Sequence, residues 1–302
     1  MARVLFARGA RGEIIKKMQK ALGFDAVGAD GDFGRNTRAA VIAFQTSRGL
    51  EATGEVDVTT YEQLIGTPIP SVKERALQLT AAFEGHGFTL AQGNFDGAGI
   101  TWGIIGFTLK HGELKRIILE INNQRPSLVT EAFKDKTAQL LRVLDAPLSE
   151  QLAFANSISL GSTKETLAEP WKSAFKRFGE MDEVQALQVE LADEDFFQPA
   201  RRTAADLNLK SELGIALAFD IHVQNGGIKA SARQQINQQL AAHPPANEGG
   251  LRVIVANAVA DHSTFRADVL SRKLTIATGS GEVHQERFVV RDWGLDESAF
   301  VV

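Results

Sequence analysis

The sequence predicts a mainly helical α+β protein with a small three-helix N-terminal domain and a larger helical domain that contains a small β-sheet. Three observations lead to this prediction. Apolar residues recur at helical spacing along most of the chain. Residues 100–107 instead form one run of β-branched and aromatic residues behind a glycine turn, which is typical of a strand or small hairpin. A short segment with two prolines, residues 67–70, separates the two parts.

The composition narrows the possible classes of function. Of the 302 residues, 44% are apolar and 23% are charged, which provides a sizeable core and excludes wholesale disorder. The net charge is −4 and no block of basic residues occurs, so we expect no nucleic-acid partner. The absence of cysteine excludes disulfides, thiolate nucleophiles and cysteine-ligated metals. The six histidines show no metal-ligand spacing, so we expect no metal ion and no cofactor.

The first domain, residues 1–66, is predicted to contain three helices. Apolar residues at helical spacing mark the first two, over residues 14–22 and 37–44. A capping box formed by Thr59 and Glu62 predicts the start of a short third helix. A domain of this length has only a small core, so we expect it to be modestly stable alone.

Residues 67–70 are predicted to form a short, stiff linker, because two prolines flank a single isoleucine, Ile69, that we expect to be exposed. Ser71 and Glu74 then form a second capping box, which starts a helix and with it the second domain, residues 71–302. Helical patterning dominates this domain over residues 72–84, 112–122, 130–142, 171–178, 208–225 and 251–260.

A set of spaced glycine, apolar and polar positions marks the N-terminal segment. These positions are Gly12, Met18, Gln19, Leu22, Gly23, Asp30–Gly34, Thr37, Ala40, Val41, Phe44, Gln45, Gly49, Leu50, Thr53, Gly54, Val56, Asp57 and Leu64. Over residues 3–66 the chain thereby resembles the three-helix peptidoglycan-binding domain that is often attached to bacterial and phage cell-wall hydrolases. The resemblance implies binding to cell-wall peptidoglycan, and the motif leaves open which residues contact the ligand.

Two carboxylates of the second domain have the settings that glycoside hydrolysis needs. Glu84 ends the predicted helix 72–84 beside its apolar stripe, where a carboxyl can be partly desolvated, as suits a general acid. Asp96 lies in a glycine-rich turn, where a hydrated carboxylate can act as a general base. Each of them alone also fits an ordinary surface or turn carboxylate. As a pair that flanks one short loop, they indicate a glycosidase.

The sequence around these carboxylates carries a second resemblance. The positions concerned are Ala82–Gly85, Asp96–Phe107 and Gly112–Leu114. They resemble the catalytic region of the chitosanases of glycoside hydrolase family 46, which belong to the lysozyme-like fold superfamily. The resemblance implies that Glu84 is the general acid and Asp96 the general base. It also implies that the Thr101 hydroxyl helps to hold the attacking water, and that Glu113 is an acidic substrate-binding residue.

Side chains next to these residues are candidates for substrate binding. We expect Trp102 to stack on a sugar ring, because it adjoins Thr101. We expect Asn94 and Gly103 to line the substrate site. The other aromatic candidates for stacking are Trp171, Phe95 and Tyr61. For most of the aromatic residues, however, core packing is the expected role.

A buried charge network is predicted in the C-terminal part of the chain. Asp220 falls on the inward stripe of the helix predicted over residues 208–225, and a buried charge needs a partner. This segment resembles a family helix that carries a buried aspartate, and Arg266 and Arg272 resemble the arginines that supply its partner. We expect the network to be structural scaffolding rather than a direct participant in catalysis.

Two departures from the family pattern bear on the substrate. The gap between Glu84 and Asp96 is shorter than in typical chitosanases, and Ala98 stands where the family often has a basic residue. Peptidoglycan, like chitosan, is a β-1,4-linked amino-sugar polymer, and the N-terminal domain favours it as the substrate. We therefore predict a peptidoglycan glycan-strand hydrolase, a muramidase of the endolysin type with antibacterial action, that inverts the anomeric centre.

Three alternatives stay open on the sequence alone. The first is a chitosanase that carries a wall-targeting domain. The second is a lytic transglycosylase, for which Asp96 and Thr101 would be superfluous because no base-activated water is needed. The third is a non-catalytic wall-binding protein that has inherited the fold, although the intact set of Glu84, Asp96 and Thr101 argues against it.

The sequence also suggests how such an enzyme reaches its substrate. The N-terminal residues lack the apolar run of a secretion signal, and no stretch reaches the roughly 20 apolar residues of a membrane span. We expect a monomer that is synthesised in the cytoplasm and does not insert into membranes. Holin-type release, a dedicated secretion machine or lysis would then bring it to the cell wall.

Overall fold

The structure of the chain is a computed structural model that describes residues 3–85 and 87–300. It is mainly helical with short strands, so the predicted fold class is confirmed. The helices are α1 (Glu13–Ala21), α2 (Arg35–Ser47), α3 (Val58–Ile65), α4 (Val72–Glu84), α5 (Glu113–Gln124), α6 (Pro126–Phe133), α7 (Thr137–Asp145), α8 (Leu148–Ser157), α9 (Trp171–Gly179), α10 (Asp182–Ala192), α11 (Gln198–Asp206), α12 (Glu212–Asn225), α13 (Ala230–Ala242), α14 (Glu248–Asp261) and α15 (Arg266–Thr278). The strands are β1 (Val4–Phe6), β2 (Val56–Asp57), β3 (Ala91–Gln92), β4 (Thr101–Trp102), β5 (Phe107–Thr108), β6 (Ser159–Leu160), β7 (Thr166–Leu167), β8 (Ser280–Val283) and β9 (Glu286–Val289).

The chain divides into two compact units. The terminal unit comprises Met1–Phe83 together with Asp193–Val302, and the mid-chain unit comprises Glu84–Ala192. The domain boundaries predicted at residues 66 and 71 are therefore not the boundaries of the compact units. The reason is that the N-terminal domain packs with the C-terminal third of the chain.

The N-terminal part of the terminal unit has the three helices that the sequence predicts, α1, α2 and α3. Buried glutamines fasten the two glycine turns between them. Gln19 accepts a hydrogen bond from the backbone N–H of Gly31 at 2.7 Å and donates one to Asp30 at 2.8 Å. Gln45 accepts one from the N–H of Gly54 at 2.9 Å. These bonds provide partners for backbone N–H groups of the two turns, which are buried in a small core.

The two predicted capping boxes have different outcomes. At α4, Ser71 N–H donates to Glu74 Oε2 at 2.8 Å and Glu74 N–H donates to Ser71 Oγ at 3.3 Å, so this box is confirmed. At α3, the cap predicted at Thr59 is wrong. The helix begins earlier, because the Asp57 carboxylate accepts a hydrogen bond from the N–H of Thr60 at 2.7 Å.

The second half of the segment of residues 67–70 is packed, whereas Thr67 and Pro68 are exposed. Ile69 is partly buried against the core of the N-terminal domain, beside residues such as Tyr61. Pro70 is buried, and its carbonyl oxygen accepts a hydrogen bond from Arg75 Nε at 3.1 Å. The prediction of an exposed Ile69 is therefore wrong, since the apolar side chain completes a small core that lacks other cover.

Buried charges join the N-terminal residues to the C-terminal part of the terminal unit. Arg75 forms a bidentate ion pair with Glu212, at 2.8 and 2.9 Å, and the two side chains are only 3% and 4% exposed. Arg3 also pairs with Glu212. Gln78 accepts a hydrogen bond from the N–H of Glu13, at the start of α1, at 2.9 Å. The N-terminal domain is thus fixed by α4 and α12 rather than carried on a flexible tether.

The mid-chain unit combines helices with an antiparallel sheet of strand order β5-β4-β3-β7-β6. The predicted hairpin of residues 100–107 is confirmed as β4 and β5. The helix predicted over residues 130–142 is instead two helices, α6 and α7. Lys134, with φ of 51°, interrupts the pattern between them. The helix predicted over residues 208–225 begins only at Glu212, because Ser211 caps it.

Candidate active site

Glu84 is the last residue of α4 and is half-buried. The helix ends there because Gly85 adopts a φ of 65°, in the left-handed region that glycine enters without a steric penalty. Glu84 belongs to the mid-chain unit, as do the other two predicted catalytic residues, Asp96 and Thr101. The helix terminus therefore supplies one carboxylate to the unit that carries the rest of the candidate site.

The loop of residues 93–99, which we call the carboxylate loop, is tied down at its base. The N–H of Gly93 donates to Glu165 O at 2.9 Å, and the N–H of Asn94 donates to Ser159 Oγ at 2.9 Å. Only glycine fits at position 93, since an added Cβ would lie 2.3 Å from Lys164 O. The loop is therefore held by a segment that lies about 65 residues further along the chain.

Asn94 and Asp96 shape the carboxylate loop from within. Asn94 Oδ1 accepts a hydrogen bond from the N–H of Gly99 at 2.9 Å, which closes the loop. Asp96 Oδ1 accepts one from the N–H of Ala98 at 2.9 Å, which orients the carboxylate. Asp96 is exposed, and Asn94 is half-buried. The predicted role of Asn94 in substrate binding stays a prediction, and the loop closure is a role that the sequence analysis missed.

Thr101 follows the carboxylate loop on the central strand pair of the sheet. It lies in β4, opposite Gln92 of β3 and Thr108 of β5. Thr101 is buried, and its hydroxyl oxygen has no hydrogen-bond partner among residues 3–85 and 87–300. A buried hydroxyl without a partner costs about 1–3 kcal/mol, so its position calls for a bound partner such as water.

The predicted substrate contacts of Trp102 and Gly103 are wrong. Trp102 has 0% exposure, its Nε1–H donates to Phe175 O at 3.0 Å, and its ring stacks with Phe178 at a centroid distance of 5.4 Å. Gly103 is buried, and an added Cβ would lie 2.4 Å from Gln188 Oε1. Trp102 is buried because Phe175 and Phe178 of α9 pack on it, and Gly103 is buried beside Gln188 of α10.

Glu113 begins α5 and is half-buried. Its Oε2 accepts hydrogen bonds from the backbone N–H and from the hydroxyl of Thr108, each at 3.2 Å. The same hydroxyl lies 2.8 Å from His111 Nδ1. Glu113 therefore connects the start of α5 to β5, where an acidic residue is also favoured by the helix dipole. Its predicted contact with substrate stays a prediction.

The buried network around Asp220 lies in the terminal unit. Asp220 pairs with Arg272, as predicted, and also with Lys273, and Thr80 Oγ1 donates to it at 3.1 Å. Burial alone would raise the pKa of Asp220, but the charges and hydrogen bonds of Arg272 and Lys273 outweigh it and hold the pKa well below its usual range. Lys273 was not predicted as a partner, because a lysine is almost never fully buried unless it is paired, and the sequence does not show that pairing.

Arg266 is not part of this network, so that prediction is wrong. Its side chain is 56% exposed, and its Nε donates to Asp261 at 2.8 Å. Arg266 is the first residue of α15, while Arg272 and Lys273 lie nearly two turns further on and face inward. The spacing of six residues from Arg272 places Arg266 on a different face of the same helix.

Two further properties of the described part of the chain concern ions and membranes. Within it, no cluster of three or more histidine, aspartate and glutamate side chains is arranged to hold a metal ion. None of its helices has the length and apolar character needed to cross a bilayer.

Comparison with known proteins gives a consistent result for both parts of the sequence. Residues 9–64 match the model described as a putative peptidoglycan binding domain, and residues 83–253 match the model of glycosyl hydrolase family 46. A chitosanase of Bacillus subtilis (strain 168) is 26% identical over 159 residues, which cover 51% of this chain and 51% of that protein. The chain thus spans about half the length of this curated relative.

Solved chitosanase structures share the fold. The native chitosanase from Bacillus subtilis MY002 has a TM-score of 0.51 at 19% identity, over 72% of this chain and 98% of that chain. A mutant of that chitosanase complexed with 6 GlcN has a TM-score of 0.51 at 18% identity, over 73% of this chain and 96% of that chain. With a family model that matches more than half of its residues, the chain belongs to glycosyl hydrolase family 46 and carries an N-terminal peptidoglycan-binding domain.

Proposed function

We propose that this glycoside hydrolase cleaves the β-1,4-linked glycan strand of peptidoglycan as a muramidase. The observation that supports the chemistry best is the carboxylate loop, which presents an oriented and exposed Asp96 a few residues before the unpartnered hydroxyl of Thr101. A carboxylate that lies close in sequence to a hydroxyl that needs a partner can, together with it, bind and activate one water molecule.

In this mechanism each residue has one role. Glu84 protonates the glycosidic oxygen as the bond to the leaving sugar breaks. Asp96 takes a proton from the attacking water while Thr101 holds its oxygen, and the new bond forms on the opposite face of the sugar ring. The anomeric centre is therefore inverted, and the two carboxyl groups exchange their protonation states over one turnover.

The N-terminal domain supports peptidoglycan as the substrate. Arg3, which pairs with Glu212, and Glu13, whose backbone N–H donates to Gln78, fix this domain within the terminal unit, so the bound enzyme is anchored to the wall by a part of its own fold. The mid-chain unit is only weakly acidic, with 14 acidic and 11 basic residues. A cleft for chitosan, a polymer with a cationic amine on each sugar, would call for a stronger excess of carboxylates.

A chitosanase is the second candidate, and a specific observation favours it. The relatives named above are chitosanases, and one of them is described in complex with glucosamine units. Under this alternative, Glu84, Asp96 and Thr101 keep the same roles, and the N-terminal domain brings a chitosan-cleaving enzyme to the cell wall. The two candidates therefore differ in substrate and not in mechanism.

The direct test is hydrolysis of purified peptidoglycan and of soluble chitosan by the full chain and by the variants Glu84→Gln and Asp96→Asn. We expect release of reducing ends from peptidoglycan, and a fall of about 10²- to 10⁴-fold in each variant, the usual contribution of a general acid or base. Hydrolysis of chitosan alone would support the second candidate.

Matched controls come from the same unit. Glu150 and Asp145 are exposed carboxylates outside the candidate site, so Glu150→Gln and Asp145→Asn repeat the two substitutions where no chemistry is expected. Both controls should keep the wild-type rate. Lysis by Glu84→Gln at the wild-type rate would contradict the proposed mechanism on either substrate.

A further inference from the structure

The aromatic side chains divide unequally between core and surface. Trp102, Trp171 and Tyr61, which are candidates for sugar stacking on sequence grounds, are all buried. Phe95, the remaining candidate, is 45% exposed. Among the residues that the structure describes, only Phe265 is an aromatic residue of comparable exposure, and it lies in the terminal unit. Phe95 is therefore the exposed aromatic of the unit that holds the candidate site.

The carboxylate loop holds Phe95 at the surface. The residues on either side of the tip are buried or bonded, since Gly93 and Asn94 are fastened to Glu165 and Ser159. The N–H of Phe95 itself donates to Gly93 O at 3.0 Å. The backbone on the N-terminal side of the tip is therefore held by hydrogen bonds while the Phe95 side chain lies at the surface. An exposed apolar residue is common in a mobile loop, but here it is fixed next to the proposed base.

We propose that Phe95 is a substrate-binding residue that packs against the apolar face of an N-acetylated hexosamine ring bound next to Asp96. This inference rests on the proposed function and deepens it by assigning the sugar class. A β-linked pyranose ring presents axial C–H groups on one face, and a neutral phenyl ring covers that face well.

The chemistry of the loop tip favours an acetylated sugar. Of the exposed tip residues Phe95, Asp96 and Gly97, only Asp96 is charged, and the mechanism uses that charge. The acetamido methyl group adds apolar surface that the phenyl ring can cover. An ammonium group, as on chitosan, has no such methyl group and must lose part of its hydration to make this contact.

The test compares Phe95→Ala and Phe95→Trp with Phe265→Ala, the same truncation at the other exposed phenylalanine. On soluble peptidoglycan strands we expect Phe95→Ala to raise KM about tenfold with kcat retained, the effect of losing one aromatic contact. Phe95→Trp keeps an aromatic ring and should have a KM close to that of the wild type. Phe265→Ala should behave as wild type. A wild-type KM in Phe95→Ala, or a fall in kcat alone, would overturn the inference.

Binding provides a readout that does not depend on turnover. Calorimetry with a chitin tetramer, in the Asp96→Asn background, should show about tenfold weaker binding when Phe95→Ala is added, and a smaller change with a chitosan tetramer. Equal affinity with and without Phe95→Ala would refute the contact. Failure of the proposed function looks different, because the wild-type chain would then leave peptidoglycan intact, or Asp96→Asn would hydrolyse it at the wild-type rate, whatever residue stands at position 95.

Discussion

The two compact units are stabilised by different interactions. In the terminal unit, charged side chains are buried and paired, as in Arg75–Glu212 and Asp220–Arg272. In the mid-chain unit, no charged side chain of the described residues is buried, and ion pairs such as Arg125–Glu183 lie at the surface. Its core is uncharged and contains aromatic contacts such as that between Trp102 and Phe178.

The buried ion pairs therefore lie in the terminal unit, and the candidate active site lies in the mid-chain unit. A buried ion pair adds little net stability, but removing one partner leaves an uncompensated charge and is costly. Such pairs therefore specify which segments of the terminal unit must meet, which explains how chain ends far apart in sequence form one unit. In the described part of the mid-chain unit the core holds no charged side chain, and carboxylates such as Asp96 lie at the surface.

The largest effect on stability is expected from Asp220→Asn. The substitution leaves Arg272 and Lys273 buried without a counter-charge, and we expect it to lower the free energy of unfolding by about 3–5 kcal/mol. Urea unfolding at pH 7 measures this loss. The control Asp261→Asn breaks the exposed pair with Arg266 and should cost at most about 1 kcal/mol. Equal losses at the two positions would remove the distinction between buried and exposed pairs.

The loss of stability in Asp220→Asn should depend on pH. The pKa of Asp220 is lowered in the folded state from its ordinary value of 3.8, so its stabilisation is complete above that value and is lost as the pH falls below about 4. The difference between wild type and Asp220→Asn should therefore shrink in acid. A difference that stays constant from pH 7 to pH 3 would contradict this assignment.

A smaller effect is expected from Trp102→Phe in the mid-chain unit. The change removes the hydrogen bond to Phe175 O and part of a buried ring, and we expect a loss of about 2–3 kcal/mol in the free energy of unfolding. No charge is involved, so the loss should be the same at pH 7 and pH 4. A loss that depends on pH would show that the aromatic core is coupled to a titrating group.

The smallest effects are expected at two neighbouring carboxylates of the terminal unit. Burial raises the pKa of Asp292 to about 6, and the charge of Glu55 adds to this against the opposing charge of Arg291. Burial also acts to raise the pKa of Asp296, but its hydrogen bonds with Ser298 and the charges of Arg3 and Arg75 outweigh it and lower the pKa. The surroundings of Asp292 thus disfavour its ionised form, and those of Asp296 favour it.

Asparagine at these two positions should change stability in opposite directions. Ionised Asp292 destabilises the fold increasingly as the pH rises from about 4 to about 6. Above pH 6, Asp292→Asn should therefore raise the melting temperature, and Asp296→Asn should lower it. Both side chains are partly exposed, so water screens each effect to about 1 kcal/mol or less. Shifts of the same sign in differential scanning calorimetry would contradict these assignments.

The sequence predicts local features of this fold well. The Ser71–Glu74 capping box, the end of α4 at Glu84 and the hairpin after the carboxylate loop all depend on residues close in the chain, whose chemistry is sufficient to specify them. The motif from Asp96 to Thr101 likewise predicts a turn that leads into a strand. Helix α9 has a clear apolar stripe, whereas α13, with its many glutamines, was not predicted because it lacks one.

Tertiary contacts account for what the sequence did not predict. The bonds from Ser159 and Glu165 to the carboxylate loop come from distant segments. Trp102 is buried because Phe175 and Phe178 of α9 pack on it, and no pattern within residues 95–102 contains that information. The choice of Lys273 rather than Arg266 as a partner of Asp220 depends in the same way on the rotation of α15.

The identity of the products formed from purified peptidoglycan tests the central claim most directly. The full chain is incubated with peptidoglycan and, in parallel, with soluble chitosan, and the released fragments are identified by mass. We predict muropeptides with reducing N-acetylmuramic acid ends, and none from Asp96→Asn. Chito-oligomers from chitosan with peptidoglycan left intact, or muropeptides with anhydro ends, would contradict it.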